Sequence, residues 1–99
     1  MAGTSGEFLC EGFVETREFE ESKDELKRST GLTDRQIDFR LEGLLWALRR
    51  EPAFVAERIP NRNLWVATTN RGVPLLRIFL RPREERPTEC ELMWIEERF

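Results

Sequence analysis

The spacing of apolar residues changes period at Pro60, and that change constrains the fold more than any single motif does. Before it, Ile37, Leu41, Leu44, Leu45 and Leu48 follow i, i+4, i+7, i+8, i+11, the stripe of a helix that buries one face. After it, Leu64, Val66 and Thr68 alternate with Trp65, Ala67 and Thr69. Leu76, Ile78 and Leu80 then alternate with Leu75, Arg77, Phe79 and Arg81, the period of half-buried strands. Helices followed by consecutive strands predict an α+β domain of order β-α-α-β-β-β, with two N-terminal helices packed on one face of a mainly antiparallel sheet.

Punctuation sets the boundaries. Residues 1–7 are small and polar and read as a flexible leader, and residues 8–99 read as a single domain. FLCEGFVET, from Phe8 to Thr16, suggests a first strand bent at Gly12. Thr16 caps a first helix that Gly31 ends, with Phe19 and Leu26 on one face. Thr33 and Gln36 form a T-x-x-Q capping box for the second helix, and Pro52 stops it. Phe39 and Trp46, seven apart, form a second stripe, which reads as a widening of the buried arc rather than a surface patch. Asn70-Arg71-Gly72 supplies turn chemistry between two strands, RPREERPT forms a charged loop, and ECELMWIEE is the last strand.

The formal charge of −3 conceals an asymmetry. Residues 1–34 carry nine acidic and four basic side chains, whereas the stretch from Arg58 to Arg86 carries seven Arg against two Glu, net +5. Arginine in a strand and its flanking turns can bind phosphate or an acidic protein bidentately. Arg77 and Arg81 lie four apart on one strand, so they project from the same sheet face about 13 Å apart. Arg71 and Arg83 extend this candidate binding face, and Phe79 between the strand arginines offers a ring on which a base could stack. The competing reading is a solvated strand whose arginines pair across the sheet, for instance with Glu91.

The chemical repertoire is short. The chain has no His and no Tyr, which excludes a Ser-His-Asp triad, and it has no Gly-rich phosphate loop. Cys10 and Cys90 are eighty residues apart with no CxxC spacing, so no zinc site and no cofactor are expected. Cys90 reads as a buried structural thiol in an apolar strand. With no signal-peptide pattern and no membrane-length apolar run, the chain reads as a cytoplasmic protein with free thiols and no membrane partner.

The order of elements and several local stretches resemble the RelE/ParE superfamily of bacterial toxins from type II toxin–antitoxin systems. The resemblance rests on FVETREFEESKDEL, IDFRLEGLLWALRREPAFVAERIP, LWVATTNRG, the strand PLLRIFL and the last strand ELMWIEE, and so spans most of the chain. It implies a toxin component that inhibits growth by acting on ribosome-bound mRNA or on DNA gyrase and is neutralised by a cognate antitoxin. It carries over Arg77 as a catalytic position. RelE-like members also use Tyr, His or Lys near the C-terminus for proton transfer, and here the final segment WIEERF offers only Glu96, Glu97 and Arg98. ParE-like members act by binding and need no such set. Beside the toxin reading stands a non-catalytic interaction module of the same fold, or a homodimer, with Trp46, Trp65 and Phe99 as partner-contact residues.

Overall fold

Thr33 accepts a hydrogen bond from the Gln36 amide at 3.2 Å while the Gln36 side chain accepts one from the Thr33 amide at 2.9 Å, so the capping box is closed in both directions. In this computed structural model, which describes residues 8–70 and 72–98, that box starts helix α2, Asp34–Arg50. The helix before it, α1, spans Arg17–Thr30; its cap Thr16 accepts from the Phe19 amide at 3.2 Å, and Gly31 ends it in the left-handed region at φ 77°. Each helix is thus bounded by the residue whose chemistry suits that end.

Five strands follow the order β1-β5-β4-β3-β2 across one sheet. They are β1 (Gly12–Glu15), β2 (Ala56–Arg58), β3 (Trp65–Thr68), β4 (Leu75–Pro82) and β5 (Glu89–Arg98). Neighbours are antiparallel except β1 and β5, which run parallel and are separated along the chain by the helices and by β2, β3 and β4. Leu76, Ile78 and Leu80 are completely buried against Phe19, Ile37 and Leu48 of the helices, forming one core on one sheet face. Burial of each such side chain contributes roughly 2 kcal/mol relative to exposure.

Residue Met93 is the extra residue of a bulge in β5: Phe79 pairs with Trp94, but the next residue, Leu80, pairs with Leu92. Strict alternation would turn Ile95 outward if Leu92 faces in. The bulge lets both face the core, at 1% exposure each. It also sets the outer face, because Arg77 then lies opposite Glu96 and Arg81 opposite Glu91.

Three expectations need correction. Pro52 ends α2 but opens a further turn, α3 (Pro52–Val55), because a proline at the first helical position lacks only an amide that would go unbonded there. That turn leads into β2, an edge strand not expected from the sequence. Phe39 and Trp46 are not core: they are 78% and 59% exposed, because the Ile37–Leu48 stripe alone fills the contact with the sheet. The leader of residues 1–7 lies outside the described residues. No helix among those described is long and apolar enough to cross a membrane.

Candidate functional site

The outer face of the sheet gathers Arg77, Arg81 and Arg83, and each of these three has a carboxylate. Arg77 is ion-paired with Glu96 and its guanidinium lies 5.6 Å from the centre of the Phe79 ring. Arg81 Nε lies 3.1 Å from Glu91. Arg83 is paired with Glu89 and lies 3.4 Å from Glu85, and its pKa is raised, chiefly by the hydrogen bond to Glu89. The Arg77 and Arg81 bonds follow from the strand register, since β5 sets Glu96 opposite Arg77 and, across the bulge, Glu91 opposite Arg81. Arg71 lies outside the described residues.

Charge balance decides what this face can hold. The hollow at the Arg81–Arg83 end, about 320 Å³, is lined by two Arg and three Glu (Glu84, Glu85 and Glu91), formally −1. A phosphate entering it would compete with Glu89 for Arg83 and with Glu91 for the Nε of Arg81, and would meet the three carboxylates that line the hollow. Phe79 is half-buried with its ring taken by Arg77, so the stacking position is occupied by the chain itself. Of the residues picked from the sequence, Arg77, Arg81 and Arg83 each stand in an ion pair with a glutamate of β5.

Trp65 is also displaced from its expected role. It shares the helix-side face with Ala67 and stacks on Phe8, ring centres 4.0 Å apart and planes within 6°, packed against the core. Phe99 lies outside the described residues.

Trp46 does stand at a surface, and it has company. A groove of about 950 Å³ runs between α2, α3 and the end of β3, lined by Phe39, Gly43, Trp46, Phe54, Val55 and Thr68 among others. Phe54, carried outward by α3, is 89% exposed, and the Arg50 guanidinium lies 4.9 Å from the centre of the Trp46 ring. Gly43 sits between Phe39 and Trp46 on the same helix, and a Cβ built there would meet no atom within 4 Å. Glycine in a helix interior costs about 1 kcal/mol relative to alanine. Nothing in the fold requires one here, so its effect is to keep the groove floor open.

Arg40 closes one end of the groove, donating to the carbonyls of Pro74 at 2.6 Å and Val73 at 3.2 Å. This pins the β3–β4 turn to α2, with Gly72 at φ 88° passing directly beneath the guanidinium. Among the described residues the groove lining holds one Arg and one Glu, Arg40 and Glu42, whose formal charges offset. Among the described residues no cluster of Cys, Asp and Glu is arranged to hold a metal ion. The sequence pointed to Trp46 but missed Phe54, for which the signal available was the Pro52 that starts a new turn. Compared with protein-family models, with curated proteins and with solved structures, the chain matches none.

Proposed function

We propose that this chain is the toxin-like member of a toxin–antitoxin pair and that it acts by binding protein, not by cutting RNA. The observation that carries the reading is the contrast between two surfaces: Arg77, Arg81 and Arg83 paired with carboxylates on the sheet, and three exposed aromatic side chains around a groove whose described lining holds one charge of each sign. The element order supports the RelE/ParE resemblance, with α3 and β2 as additions to it. The groove occupant is an apolar stretch of the antitoxin, a helix or strand without a phosphate or a high charge. Phe39, Gly43 and Trp46 at i, i+4 and i+7 offer two knobs and a hollow between them, a pattern that suits helix-in-groove recognition.

The test is co-expression with the product of the adjacent reading frame. The expected outcome is growth arrest by the chain alone, its relief by the neighbour, and a stable complex. Trp46→Ala and Phe54→Ala should each weaken that complex about 30-fold, as truncated interface anchors do. Gly43→Gln should raise the melting midpoint of the free chain, through better helix propensity, while blocking the groove. Cleavage of ribosome-bound mRNA that Arg77→Ala abolishes, or a complex insensitive to all three groove substitutions, would contradict the reading.

A further inference from the structure

The two cysteines lie side by side. Cys10 Sγ and Cys90 Sγ are 2.9 Å apart although eighty residues separate them, and they are 2% and 0% exposed. Cys10 sits two residues before β1, and the β1–β5 register brings Phe13 opposite Cys90. The approach is held from both sides: the Glu11 amide donates to the Thr88 carbonyl at 2.6 Å, and Phe8 stacks on Trp65. Cys90 Sγ also lies 3.6 Å from the Leu9 carbonyl oxygen.

We propose that Cys10 and Cys90 are an intramolecular dithiol that peroxide converts to a disulfide, locking the segment before β1 onto β5. A disulfide needs its sulfurs about 2.05 Å apart, so closure requires an approach of roughly 0.9 Å. Burial excludes bulky oxidants and favours a small uncharged one.

Either sulfur can donate to the other across this contact, which pushes the Cys90 pKa down and, with burial, pushes the Cys10 pKa up. Cys90 is therefore the nucleophile and Cys10 the resolving thiol. The Cys90 thiolate attacks one oxygen of hydrogen peroxide, the O–O bond breaks, and hydroxide leaves to take up the proton Cys90 lost, leaving a sulfenic acid and one water. Cys10 sulfur then attacks the Cys90 sulfur. The S–O bond breaks, and the departing hydroxyl leaves as a second water with the Cys10 proton. Two thiols are oxidised and one peroxide is reduced to two waters. The ring closed in this way takes in most of the chain, and long loops gain most from such a bond because it restricts the unfolded chain.

The experiment treats the purified full chain with hydrogen peroxide and measures intact mass, thiol count in denaturant and melting midpoint. Expected are a monomer lighter by two hydrogen atoms, no alkylatable thiol, a Cys10–Cys90 cross-linked peptide, and a midpoint raised by at least about 5 °C that reductant reverses. Cys10→Ala and Cys90→Ala should show no such rise. If either variant fails to fold, the peptide map of the unaltered chain decides alone. Two alkylatable thiols after treatment, a gain of oxygen in place of the loss of hydrogen, or disulfide-linked dimers would overturn the proposal.

Discussion

Ser22 does something that no motif in the sequence announces. It is 3% exposed, its hydroxyl donates to the Phe19 carbonyl at 2.9 Å, and it accepts from the Ile95 amide at 3.0 Å. Strand β1 pairs with β5 only as far as Leu92, so beyond that point the free edge of β5 meets α1, and Ser22 takes the ladder's place. Ser22→Ala leaves the Ile95 amide buried without an acceptor and should cost about 1–3 kcal/mol in urea unfolding; a loss below about 0.5 kcal/mol would show that the amide finds another partner. At this scale some residues were legible and others were not. The helix-capping bonds of Thr16, Gly31, Thr33 and Gln36 reach neighbours within four positions, so these roles can be read in order along the chain. Ser22 and Ile95, or Cys10 and Cys90, are joined only by the sheet. Arginine itself was conspicuous, but its partners Glu89 and Glu96 gain their meaning from register.

Helix α1 is fastened to α2 by two lysines, Lys23 paired with Asp38 and Lys27 paired with Asp34. Lys27 Nζ lies 3.0 Å from Asp34 and 3.1 Å from Asp24, bridging the last turn of one helix and the first residue of the next. The hydrogen bond from Lys27 holds the Asp34 carboxyl below its ordinary range. A depressed carboxyl contributes stability that is present above its unfolded pKa, near 4, and is lost as pH falls through the lower folded value. The melting midpoint of the unaltered chain should therefore fall more between pH 5 and pH 2 than that of Lys27→Met, by a small margin because the pair is exposed. Parallel curves would mean that this bridge contributes nothing to stability. Element type was legible wherever the period was sustained, as in α2 and β4. Periodicity could not say which of two stripes on α2 faces the core: Phe39 and Trp46 share a face as regular as the buried one, and only the width of the contact with the sheet excludes them. The bulge at Met93 was equally hidden, since Leu92, Met93, Trp94 and Ile95 form one apolar run with no alternation to read until the partner strand fixes where Leu92 and Ile95 must point.

Across the whole molecule, the helices cover one side of the sheet and leave the other to a ladder of ion pairs, while α2 and α3 present an aromatic groove away from it. The candidate arginine face could be located from the sequence because alternation separates the two sides of a strand. Its chemistry could not, because neutralisation depends on which glutamates β5 sets opposite. That neutralisation is the central claim, and binding of single-stranded RNA to the purified chain at low salt, followed by fluorescence anisotropy, tests it most directly. The account predicts no saturable binding below about 100 μM at 50 mM salt, weaker than ordinary non-specific nucleic-acid binding, and no change on Arg77→Ala. Micromolar binding that weakens steeply with added salt and is lost in Arg77→Ala would contradict it.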